Sequence, residues 1–195
     1  MGQKNLILIS AFLAAIFSSC GCSTGDKTSN ADTTVPMETT KPSETSLPTE
    51  SKVKFEPFNN VDDVRKKLSE VGIGELGRWR DDELGGYISI TPYHQFGGGD
   101  MPNNLAYYLE GDNLSSIKTL KLVLNINNEN KKAALSKFVE TIGKTYRALG
   151  LGADTKIMNE AKFGQELSAE SETYTAKTEL EKSNIETWKF VITTK

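Results

Sequence analysis

Residues 52–195 predict an α+β domain, a two-layer arrangement in which a five-stranded, mainly antiparallel sheet meets two or three helices in the order α-β-β-β-α-α-β-β. Three observations carry this expectation. Leu120, Leu122, Leu124 and Ile126 alternate with Lys121, Val123 and Asn125, the period of a strand with one buried face. Leu135, Phe138, Val139, Ile142, Tyr146 and Leu149 recur every three or four residues, one stripe of a helix. Strand patterns also follow one another with short connections, which join antiparallel neighbours.

The elements follow in chain order. Val61, Val64, Leu68 and Val71 share a helical face, with Asn60 as N-cap, Asp63 near the capping-box position and Gly72 as stop. Residues 87–96 read as a strand with Ile88 and Ile90 inward, and Pro92 marks an end, a bend or an edge. Leu105, Tyr107 and Leu109 alternate in a second strand, and 120–126 is the third. The long helix spans about 129–149 and stops at Gly150 and Gly152. A weaker helix follows Asp154 through Ile157, Met158, Ala161 and Leu167. Residues 174–181 and 185–193 close the chain as two strands joined by a tight turn at 182–184.

The chain of 195 residues holds 23 Lys and Arg, 26 Asp and Glu, one His and two Cys. Residues 52–195 carry 20 of the basic and 21 of the acidic residues, too even a balance for a nucleic-acid footprint or for polybasic attraction to lipid. One imidazole and no cysteine after Cys22 argue against most metal and thiol chemistry, and no cofactor is expected.

Residues 6–17 form an apolar run of 12 residues after Lys4. As a helix it rises about 18 Å, short of the roughly 30 Å hydrocarbon core, and so suits a secretory signal better than a permanent span. Phe17-Ser18-Ser19-Cys20 then resembles the lipobox of bacterial lipoproteins, with Phe where Leu is usual. Cys22 competes, since Gly21 precedes it, but Ser19 at its minus-three position fits less well, and Cys20 is the assigned site. The resemblance implies cleavage after residue 19, a diacylglyceryl thioether on Cys20 and an acyl chain on the new amino group. Two or more chains anchor durably where one is marginal. The implied address is extracytoplasmic, lipid-anchored to a bacterial membrane.

Residues 23–51 hold 13 Ser or Thr, three Pro and five acids, with Pro36, Pro42 and Pro48 each starting a Pro-x-Glu triplet. Such a stretch buries too little apolar surface to offset its ordering entropy. The expected organisation is a signal peptide over 1–19, a lipidated Cys20 with a disordered tether to residue 51, and one domain over 52–195. As a coil the tether reaches roughly 30 Å, and about 90 Å fully extended.

Within the domain, Gly72-Ile73-Gly74-Glu75-Leu76-Gly77 spells a dinucleotide-type glycine motif, but it follows a helix instead of a strand, so no nucleotide is expected. Asp81-Asp82-Glu83 has no calcium-loop spacing and has Arg78 and Arg80 beside it, which reads as a solvated loop. His94 has no nucleophile elbow to serve. The most unusual stretch is Gly97-Gly98-Gly99-Asp100, beside Tyr93, His94 and Phe96, with Trp79, Tyr107 and Tyr108 near in sequence. Glycines let backbone amides approach a ligand, and converging aromatics would suit a glycan, peptide or protein surface. Tyr93, His94, Phe96, Gly97, Gly98, Gly99 and Asp100 are therefore the candidate binding loop. The expectation is a tethered, non-catalytic domain that binds an envelope protein or glycan. The alternative is an envelope-polymer hydrolase using paired carboxylates, whose separation a sequence cannot supply.

Overall fold

The computed structural model describes residues 54–128 and 130–195. The expected signal peptide, the expected lipidation site at Cys20 and the expected tether lie outside the described residues. Chain order is a 3-10 turn (Glu56–Asn59), α1 (Val61–Ser69), β1 (Arg80–Asp81), β2 (Tyr87–Ile90), β3 (His94–Phe96), β4 (Asn103–Gly111), β5 (Thr119–Ile126), α2 (Lys131–Ala148), α3 (Thr155–Lys162), β6 (Leu167–Glu170), β7 (Tyr174–Lys182) and β8 (Glu186–Thr194). The fold is α+β, and every strand pairing among the described residues is antiparallel.

The sheet has eight strands instead of the five expected, in the order β1-β2-β4-β5-β8-β7-β6, with β3 also paired to β4. Three local causes account for the difference. Residues 87–96 are two strands because Pro92 interrupts the ladder. At the break, Thr91 N–H still donates to the Tyr107 carbonyl, and the Thr91 hydroxyl accepts from Tyr107 N–H at 2.9 Å. A side chain thus replaces the missing backbone acceptor. Residues 80–81 become a strand because the Asp82 carboxylate closes a turn, accepting from the N–H of Leu84 and of Gly86, each at 2.8 Å. Leu167, read as the tail of a helix, begins β6 instead. Gly164 at φ +67° stops α3, and Gln165 N–H returns to the Glu160 carbonyl.

The inward residues of β2 also differ from expectation. Ser89 is buried, while Ile88 and Ile90 are half-buried on the opposite face. The register decides this: Ser89 lies opposite Leu109, and its hydroxyl donates to the Gly77 carbonyl at 2.7 Å.

One sheet face meets all three helices. Leu105, Tyr107 and Leu109 of β4, Leu120, Leu122 and Leu124 of β5, and Trp188, Phe190 and Ile192 of β8 form the floor of the core. Val64 and Leu68 of α1, Phe138, Ile142 and Tyr146 of α2, and Ile157 of α3 form its roof. Asn60 caps α1 by accepting from Asp63 N–H at 3.0 Å, and Asn130 caps α2 by accepting from Ala133 N–H at 3.3 Å.

The other face bears no helix among the described residues. Tyr108 of β4, Lys121 of β5, Val191 of β8 and Lys177 of β7 stand in one cross-strand row. Its lysines are answered locally: Lys121 by Glu110 at 2.6 Å, Lys177 by Glu179 at 2.6 Å, Lys189 by Glu181 at 2.5 Å and Lys195 by Glu170 at 3.1 Å. Ala106, Val123 and Val191 are buried on this face beneath the long side chains around them.

Candidate functional site

The glycine-rich loop follows β3 at one edge of the sheet, and the backbone divides the candidate residues between its sides. Tyr93 is 58 % exposed on the helix-free side, with its hydroxyl 3.0 Å from that of Tyr108. Burial, then the Tyr93 hydroxyl, push the Tyr108 phenol up to about 12. His94 lies opposite Leu105 and Phe96 opposite Asn103, and Phe96 packs against the core margin. Asp100 is exposed. The other aromatics do not converge here: Tyr107 is fully buried, and Trp79 stacks on Tyr87 at 6.0 Å beside Gly111.

Gly97 and Gly98 border a cavity of about 370 Å³ whose remaining wall is Phe96, Asn103, Asn128, Asn130 and Ala133. Gly97 takes φ +77° and Gly99 φ +103°, conformations that glycine adopts without steric cost. A Cβ at Gly98 or Gly99 would meet nothing within 4 Å, so side chains at these positions would face open space.

The base of the loop, in contrast, is clamped by asparagines. Asn103 is 2 % exposed, and its carboxamide spans to the connection between β5 and α2. Its oxygen accepts from Asn127 N–H at 2.8 Å and Asn128 N–H at 3.3 Å, while its Nδ2 donates to Asn128 Oδ1 at 3.0 Å. Asn127 Nδ2 donates to the Pro102 carbonyl at 2.8 Å. On the opposite sheet face, Asn125 Nδ2 donates to Asn104 Oδ1 and Asn125 Oδ1 accepts from the Thr187 hydroxyl, both at 2.9 Å. The sequence expectation for this site left out these residues. Their signal is present in the chain as Asn103-Asn104 and as Asn125, Asn127, Asn128 and Asn130, carboxamides too dense for an ordinary strand and helix start.

The remaining motifs have structural duties. Gly72 and Gly74 take φ +95° and +125° after α1, and the Gly77 carbonyl also accepts from Arg65 Nε at 2.9 Å. Asp81 accepts from Glu83 N–H at 2.6 Å, and the two turn hydrogen bonds to Gly86 and Leu84 hold the Asp82 carboxyl below its ordinary range. No group of three or more His, Cys, Asp or Glu able to hold a metal forms among the described residues. No helix among them is long and apolar enough to cross a membrane.

Comparison with protein-family models, with curated proteins and with solved structures finds no match to this chain.

Proposed function

We propose that the protein is an extracytoplasmic lipoprotein, anchored through Cys20, whose folded part is a non-catalytic binding domain for another envelope component. One observation carries the binding reading: the loop of Gly97, Gly98 and Gly99 has open space where side chains at Gly98 and Gly99 would stand, is clamped at its base, and borders a cavity at the sheet edge. Ligand sites join adaptable loops to a rigid scaffold in this way. The anchor reading rests on Phe17-Ser18-Ser19-Cys20. A hydrolase with paired carboxylates needs one acid held above its usual range. Among the described residues, the carboxyls with shifted acidity, Asp82, Glu140, Glu181 and Glu186, are all held below theirs.

The test has two parts. Cys20→Ala should move the protein from the membrane fraction to the soluble fraction, and unchanged partitioning removes the anchor. Gly98→Val in the full chain should weaken retention of envelope components while the melting temperature stays constant. Retention equal to wild type would separate binding from the loop.

A further inference from the structure

We propose that the end of the sheet carrying Leu84 and Leu114 docks on the bilayer surface, where both leucines enter the headgroup layer and leave the glycine loop facing away from the membrane. The inference rests on the anchor reading above and goes beyond it, since a lipid on Cys20 alone fixes no orientation. Leu84 is 91 % exposed and Leu114 65 %. Each stands in a hairpin turn, Leu84 between β1 and β2 and Leu114 between β4 and β5. Register brings both turns to one end of the sheet, because Tyr87 pairs with both Asp81 and Gly111, and Glu110 pairs with Thr119.

Side chains lock the two turns. Asp82 accepts from the N–H of Leu84 and of Gly86, and Asn113 Oδ1 accepts from the N–H of Ser115 at 2.9 Å and of Ser116 at 3.1 Å. Glu83 takes φ +64°, the only positive φ of a non-glycine residue among the described residues. Such a conformation is costly and persists only where the surroundings enforce it. The leucines are thus held outward by built turns, and little ordering entropy remains to be lost on insertion.

The route of the chain says what covers them. The Phe58 carbonyl accepts from Ile117 N–H at 2.9 Å and Phe55 packs on Tyr174 at 4.9 Å, so the described chain starts at this same end. The glycine loop lies at the other end, since Phe96 pairs with Asn103, the first residue of β4, and Gly111 is its last. On the anchor reading, residues 21–53 join the lipid to that start. A coil of such length gives an effective concentration on the order of millimolar at the surface, so a weak apolar contact is enough to be populated. Asp81, Glu83 and Asp112 flank the leucines, and neutral lipid should therefore suit this end better than anionic lipid.

The experiment places the full, lipidated chain in phosphatidylcholine vesicles with brominated acyl chains, which quench an inserted indole. After subtraction of the wild-type signal of Trp79 and Trp188, the added indole of Leu84→Trp or Leu114→Trp should dim at least about twofold. Met101→Trp, exposed beside the glycine loop, should not dim. Adding Leu114→Asp to Leu84→Trp should abolish the quenching with an unchanged melting temperature, because the replaced side chain is exposed. Equal quenching at Met101→Trp overturns the orientation, and stronger quenching of the tips in vesicles containing phosphatidylglycerol overturns the leucine contact. Unquenched tips with a co-purifying protein lost on Leu84→Asp would make this a protein contact and overturn the bilayer. If the chain floats with the vesicles while neither tip is quenched, the docking falls and the anchor stands. If it does not float with them, both readings fall.

Discussion

The hydroxyl of Tyr107 in β4 lies 2.6 Å from Thr145 Oγ1 in α2, and both residues are fully buried. Thr145 has one hydroxyl proton, which it gives to the Thr141 carbonyl at 2.8 Å. Tyr107 must therefore be the donor of the pair, and burial pushes its phenol up, which keeps that proton in place. The hydrogen bond joins the sheet to the long helix through the middle of the core.

The donor assignment makes two substitutions unequal. Tyr107→Phe removes the bond and leaves only an acceptor short of one partner, at about 1 kcal/mol. Thr145→Val keeps the shape but strands the Tyr107 O–H without an acceptor, at about 1–3 kcal/mol. Urea unfolding of both variants checks the order. A smaller loss for Thr145→Val than for Tyr107→Phe would reverse the assignment.

Tyr146, one residue along α2, has the opposite character. It is fully buried, its ring packs on Phe190 at 5.3 Å, and its hydroxyl has no partner among the described residues. Burial pushes this phenol up as well. Tyr146→Phe keeps the ring contact and removes a hydroxyl whose desolvation nothing offsets. The variant should unfold at the wild-type denaturant concentration or higher, with a gain of up to about 1 kcal/mol. A clear loss would show that a partner satisfies this hydroxyl.

Two glycines should respond to a side chain in contrasting ways. A Cβ at Gly111 would collide with the Ser116 carbonyl and stand 2.9 Å from the Trp79 ring, so Gly111→Ala should cost at least the roughly 1–3 kcal/mol of overpacking. Gly98→Val meets open space and should leave the melting temperature within about 2 °C of wild type. Thermal scans of both decide the matter, and a collapse at Gly98 would make the loop structural.

Acid should weaken the fold through Glu186. Burial pushes its pKa up, but the Lys131 ammonium at 2.5 Å and the Trp188 indole N–H at 2.8 Å outweigh that and hold the carboxyl below its ordinary value. With the folded pKa below the unfolded one, near 4.3, the unfolded chain takes up the proton first. The stabilisation is complete above that value and is lost as pH falls through the folded pKa. Glu140, held down by Lys144 and Lys137, and Glu181, held down by Lys189, act in the same direction. Melting temperatures should drop below about pH 4, and Glu186→Gln should flatten that drop while costing about 1 kcal/mol near neutrality. An unaltered acid slope in the variant would remove Glu186 from this account.

Much of the architecture was legible because helices and one-sided strands impose their own periods. Leu120, Leu122, Leu124 and Ile126 could bury one face only as a strand, and Leu135, Phe138, Ile142 and Tyr146 only as a helix. Asn60 capped the expected helix because its short carboxamide reaches the third amide of the turn. Class, antiparallel pairing and most of the core follow from such local rules.

The edges followed other rules. β1 and β6 are too short for a period to register, and each exists because a neighbouring strand holds a ladder open to it. Thr91 bridges the break at Pro92 only because Tyr107, sixteen residues later, presents its N–H there. Tyr93 meets Tyr108 while Tyr107 turns into the core, since alternate side chains of β4 leave opposite faces. The cavity beside Gly97 needs Asn103 and Asn128 from two strand ends, a meeting that register alone brings about. Sequence by itself determined which surfaces are apolar enough to hide. Tertiary structure decided which polar groups come together, because hydrogen bonds form between atoms that are close in space, and strand pairing sets that distance.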